Sequence, residues 1–225
     1  MTRAAVALVV VGLLLAGCGR NDDKATTTTT EVTTVATAPP ATKQPDTAVW
    51  PFASGTTRFD DPVAAARSFA VDYLGFLDPV IGEFQGGDSR SGEVAIRPTS
   101  DGPVTTVFVR MVTSDDSWWV LGAATANLQL ESPDALAAIS SPVTLSGQST
   151  AFEATVNVEI RQDNTTDPLA EDIVMGGSMG EMGPFSKAIS FDAPQTKAGA
   201  IILKTLSAED GSIREACVLR VTFAG

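Results

Sequence analysis

The side chains able to do chemistry in this chain are few, and they lack the partners that chemistry needs. The 225 residues include no histidine, so the commonest general base and the commonest transition-metal ligand are both missing. Cys217 alternates in register with Leu219, Val221 and Phe223. That period-two spacing predicts a strand with the thiol on its apolar side, a small core residue rather than a nucleophile. Met175, Met179 and Met182 bring three thioethers into a glycine-rich connection. Thioethers suit Cu(I), but no imidazole or thiol lies near them, and the stretch reads as an inter-strand loop. Asp163, Asp167, Glu171 and Asp172 gather carboxylates around another connection. Their spacing departs from the twelve-residue calcium loop with its glycine and closing glutamate, so they read as a solvated acidic edge. The run Gln85-Gly86-Gly87-Asp88-Ser89-Arg90-Ser91-Gly92 lacks the Gly-Lys-Ser/Thr ending of a phosphate loop. The expectation is no enzyme activity, no metal and no cofactor.

Two constellations suit binding instead. Trp118 and Trp119 are neighbours in a strand-like run and must point to opposite faces of it. One is expected under a helix; the other is either a sugar-stacking platform or a cover for the sheet. Phe69 and Tyr73, on one face of a predicted helix, would line an apolar pocket with one of these tryptophans.

The elements that carry these residues fall into two groups. Asp60-Asp61-Pro62 predicts a helix start, with Asp in the cap and Pro in the first turn. Val63, Ala66, Phe69, Ala70, Tyr73, Leu74 and Leu77 then follow at helical spacing. Gly82–Gly92 reads as a loop, followed by strands over Glu93–Arg97, Val104–Val112 and Trp118–Leu130. Together they predict a small α+β domain over 49–133. From 136 to 225 the pattern is all strand: Val143–Ser146, Ala151–Gln162, Leu169–Met175, Phe185–Phe191, Ala200–Ser207 and Ile213–Phe223. In the second of these Phe152, Ala154, Val156, Val158 and Ile160 take one face, and Glu153, Thr155, Asn157, Glu159 and Arg161 the other. Six or seven short strands without a helix predict an immunoglobulin-like β-sandwich, although the Cys–Trp–Cys core of antibody domains is absent. The fold class expected is mixed, an α+β domain followed by an all-β sandwich.

The chain's net charge is −12. Without a basic stripe, that argues against nucleic acid as a partner and against docking on anionic lipid through protein charge.

Ahead of the folded segments, Met1-Thr2-Arg3 and the apolar run Ala4–Leu15 form a secretory leader, too short to span a bilayer. Its end, Leu15-Ala16-Gly17-Cys18, resembles the bacterial lipobox. The resemblance implies cleavage after residue 17, a diacylglyceryl group on Cys18 and an extracytoplasmic protein held to the cell membrane by lipid. Residues 18–48 carry a Thr/Pro-rich tether: Gly19–Ala48 holds ten threonines, and nothing in its pattern could bury a core.

Several motifs of the last segment occur together in order. These are Ser141-Pro142-Val143-Thr144-Leu145-Ser146-Gly147 with Phe152-Glu153, then Gly180-Glu181-Met182-Gly183-Pro184-Phe185 with Ile189-Ser190-Phe191, then Ser207-Ala208-Glu209-Asp210-Gly211. They resemble the second immunoglobulin-like family named for spore germination and sporulation proteins. Residues 49–133 resemble a companion segment that precedes this module in actinobacterial lipoproteins. The resemblance implies a non-catalytic module of the cell envelope that interacts with a protein or a wall polymer, and it carries over no catalytic residue. The alternative is a lipoprotein that holds a small molecule in the α+β domain, at Phe69, Tyr73, Trp118 or Trp119.

Overall fold

The computed structural model describes residues 45–224. The expected leader, Cys18 and most of the expected tether lie outside them. Among the described residues the one α-helix is α1 (Pro62–Ser68), and thirteen strands follow it. Asp61 caps α1 through its carboxylate, which accepts from the Ala64 amide at 2.7 Å, with Pro62 in the first turn. The helix widens into a π-helical turn over Phe69–Leu74 and stops at Gly75, whose φ of +91° is open to glycine. The wider turn brings Phe69, Ala70, Tyr73 and Leu74 all onto the core side. Leu77, expected on that face, lies past the stop and is exposed.

The first four strands form an antiparallel meander: β1 (Val80–Asp88), β2 (Ser91–Arg97), β3 (Thr105–Met111) and β4 (Trp118–Ala124). The glycine-rich stretch expected as a loop is instead β1 and the hairpin into β2. Phe84 of β1 stacks edge-on against Trp118. The expected Trp118–Leu130 run breaks at Thr125–Asn127 into β4 and β5 (Leu128–Ser132).

The sandwich is built by β5, β7 (Val143–Ala151) and β11 (Gly183–Ile189) on one side. On the other are β8 (Thr155–Gln162), β9 (Pro168–Met175), β12 (Ala198–Leu206) and β13 (Ile213–Phe223). Two-residue strands β6 (Ala138–Ile139) and β10 (Gly177–Ser178) add to β13 and β7. Phe152, expected inside, is 61 % exposed. A short helical turn over Phe152–Ala154, with Glu153 and Ala154 at positive φ, rotates it outward before the inward alternation resumes at Val156.

The α+β layer does not stand apart from the sandwich. Its strands and the second layer of the sandwich form one nine-stranded sheet, joined where Ala123 of β4 pairs with Val218 of β13. The physical reason is that β12 and β13 are apolar on both faces. Ile201, Leu203, Cys217 and Val221 face the sandwich core. Ala200, Ile202, Ala216 and Val218 face the other way, into a core with Phe69, Tyr73 and Trp118. A strand buried on both sides reads as a continuous apolar run, which is what Ala200-Ile201-Ile202-Leu203 is.

The outer face of β8, expected to be solvated, is also covered. Glu159 and Arg161 are 8 % and 6 % exposed, with Lys204 of β12 beside them at 9 %. Glu159 holds both cations, and Arg161 reaches on to the carbonyl of Tyr73 at 2.6 Å. Farther along the same face, Arg220 grips Asp163 with two hydrogen bonds and donates through Nε to the Asp46 carbonyl at 3.0 Å. These charges are the polar part of an internal seam, each desolvated and each paired.

Candidate functional site

The residues singled out for chemistry are spread apart. Asp163 is committed to Arg220 and Asp172 to Lys187, while Asp167 and Glu171 are exposed. Hydrogen bonds from Lys187 and from the Ile173 amide hold the Asp172 carboxyl below the usual range. Among the described residues, no three His, Cys, Asp or Glu side chains are grouped to hold a metal ion. Met175 accepts a hydrogen bond from Thr155, and Met179 is 88 % exposed. Cys217 is buried and free; desolvation pushes its thiol up to about 11.

The four aromatic candidates are core residues. Phe69 stacks on Tyr73, with ring centres 5.3 Å apart, and burial pushes the Tyr73 hydroxyl well above its ordinary value. Trp118 lies under the helix against Phe84. Trp119 points the other way and is fully buried, its indole N–H on the Thr113 hydroxyl and Arg58 over its ring. The helix and sheet therefore bury all four side chains as core residues, and neither tryptophan offers a face to a sugar.

The open space lies elsewhere, at the edge of the sandwich. β4 and β13 meet at a single residue pair and then diverge. The second sheet ends at β5, so no strand of it lies beyond β5 over the large sheet. Between the two is a cleft of about 530 Å³. Its walls include Phe108 and Leu121 from the meander, Leu128 and Leu130 from β5, and Leu219 from β13. Leu136 stands at its lip, 46 % exposed and at a φ of +65°, its amide tied to the Arg220 carbonyl at 2.8 Å. A leucine in the left-handed region is unusual, and such strain concentrates at binding sites. Cys217 sits in the wall. Arg220, the charged member of the lining, is already neutralised by Asp163. Two further hollows, of about 540 and 520 Å³, lie against the meander and share Phe108 with the cleft. In size and lining the cleft has the character of a small-molecule or side-chain pocket.

Sequence reasoning missed this site. Phe108 and Leu121 read as ordinary strand residues, and Leu136 stands outside any periodic pattern. The one available signal was the two-sided apolar character of β12 and β13, which requires a layer on each face and hence an edge where those layers part.

No curated protein and no solved structure matches the chain. Residues 127–212 match the family model described as the immunoglobulin-like domain of bacterial spore germination. The match begins in the turn that enters β5, which pairs with β7, and ends just before β13. The immunoglobulin-like resemblance read from the motifs of this segment is thus supported over residues 127–212, as a likeness of that stretch to the family.

Proposed function

We propose that this chain is a lipid-anchored, extracytoplasmic binding protein of the bacterial cell envelope, without catalysis, that receives an uncharged apolar group in the cleft between β5 and the β4–β13 seam. The observation that carries the reading is the cleft: five leucines and a phenylalanine around about 530 Å³, beside side-chain charges that are paired rather than poised. Apolar walls gain from excluding water around an aliphatic or aromatic group and offer little to a sugar polymer. A protein partner or an apolar small molecule therefore fits better than a wall polysaccharide. The lipobox-like Leu15-Ala16-Gly17-Cys18 and the tether support delivery to the outer face of the membrane.

The test is binding of the uncharged dye Nile red to the full chain, alongside crosslinking in native envelope. Leu136→Glu and Leu121→Gln should each lower dye affinity and remove the crosslinked species. Unchanged dye binding in both variants would rule the cleft out. Membrane delivery is checked separately: radiolabelled palmitate should enter the wild type and not Cys18→Ser.

A further inference from the structure

The apolar side chains left exposed by the fold are concentrated at one end of the sandwich. Of the ten large exposed hydrophobics among the described residues, Phe152, Met175, Met179, Met182 and Leu206 belong to the strand ends and loops at this end. Phe152 sits on the turn between β7 and β8. Met179 and Met182 lie in the connection from β9 to β11, and Leu206 ends β12. Phe152, Met179 and Leu206 rim a pocket of about 310 Å³.

The backbone here is unusual. Glu153 and Ala154 are consecutive residues at φ of +52° and +60°, and Met179 is at +57°. The surrounding structure must hold such non-glycine residues in place, a form of strain typical of recognition loops.

Charge at this end is one-sided. Glu153 and Glu181, next in sequence to the lining residues Phe152 and Gly180, and Glu209 and Asp210 of the β12–β13 hairpin are exposed; Arg214, also exposed, is the basic residue of the pocket lining. Glu215 also lines the pocket and is 4 % exposed. Its carboxylate is held by neutral donors: the Thr125 and Thr205 hydroxyls and the Asn127 amide. An apolar rim over a buried carboxylate that has no cationic partner, at a strand end where exposed acids outnumber the one arginine, fits a side chain with an aliphatic stem and a positive head.

We propose that this loop end docks a protein segment whose lysine enters the pocket, its stem between Phe152, Met179 and Leu206. This surface is separate from the cleft and does not depend on it.

The experiment is fluorescence anisotropy on the full chain with two labelled peptides, one built on Lys-Phe-Lys-Leu-Lys and one with glutamates in place of the lysines. The lysine peptide should bind at least ten-fold more tightly than the glutamate peptide, and more weakly as salt is raised. Phe152→Ala should cost ten-fold or more, and so should the triple exposed variant Glu153→Gln/Glu181→Gln/Glu209→Gln. The cleft variant Leu136→Glu should bind as wild type. Equal binding of the two peptides would overturn the proposal. So would binding that survives Phe152→Ala, self-association abolished by Phe152→Ala, or partition of the wild type alone into neutral phosphatidylcholine vesicles.

Discussion

Arg161 of β8 donates through Nη1 to the carbonyl of Tyr73 at 2.6 Å, from 88 positions farther along the chain. That carbonyl belongs to the π-helical turn. Its intrahelical partner is lost when the helix stops at Gly75, so the guanidinium satisfies a helix end that would otherwise be buried and orphaned. The guanidinium carbon also lies 5.1 Å from the centre of the Tyr73 ring. One residue of the sandwich thus caps the helix of the other layer, while Glu159 holds it from below.

Removing Arg161 should therefore unseat both layers. Arg161→Met leaves Glu159 with Lys204 alone and the Tyr73 carbonyl without a donor. Breaking such a buried pair costs about 3–5 kcal/mol. The midpoint of urea unfolding should fall accordingly, with circular dichroism and Trp fluorescence reporting one coincident transition. Replacing the three charges together, as Glu159→Leu/Arg161→Met/Lys204→Met, should recover most of the loss, because no uncompensated charge remains.

The same seam predicts how the chain responds to dissection. A fragment of residues 136–225 exposes Ala200, Ile202, Ala216 and Val218, which the helix layer now covers, and it lacks β5. It should bind the dye ANS and lack sharp amide dispersion in a proton–nitrogen NMR spectrum. A well-dispersed spectrum from that fragment would show that the sandwich needs no support from the other layer.

Where side-chain periodicity decides structure, the sequence was legible. The Asp61-Pro62 helix start, the strand over Ile213–Phe223 and the placement of Cys217 on an apolar face follow from local pattern, and all stand in the structure. Burial of a polar face was not legible. Glu159 and Arg161 alternate as a solvated face would, and the layer that covers them is set by contacts 88 residues away. Phe152 shows the reverse failure: its spacing fits the inward set, but two left-handed residues after it turn it out. The cleft was hidden for a further reason. It arises where two strands diverge, and divergence leaves no mark on hydropathy.

Cys217 should behave as a core thiol. Burial pushes it up to about 11 from an ordinary 9.0, so at pH 8 the folded protein carries almost no thiolate. Iodoacetamide at pH 8 should label the Cys217 peptide slowly in the native chain and quickly in urea, as read by mass spectrometry. The linkage has a definite sign. The folded state holds the proton more tightly than the unfolded chain, so this contribution to stability is intact below pH 9 and is lost as pH rises towards 11. Tyr73, shifted upward by the same desolvation, acts in the same direction at higher pH.

Gly147 offers a way to disturb the cleft wall without touching its lining. It lies at the centre of β7, between β5 and β11, where a Cβ would sit 2.0 Å from the Gln129 carbonyl oxygen and 3.0 Å from the Phe185 ring. Both neighbours are fixed, one by its backbone and the other by the core, so Gly147→Ala must push β5 away from β7. Overpacking of this kind costs about 1–3 kcal/mol. Because β5 carries Leu128 and Leu130 into the cleft, Nile red affinity should fall together with stability. The helix layer, joined to β12 and β13 rather than to β5, should keep its Trp118 and Trp119 fluorescence. A variant that loses stability but binds the dye as wild type would show that β5 is not a wall of the binding site.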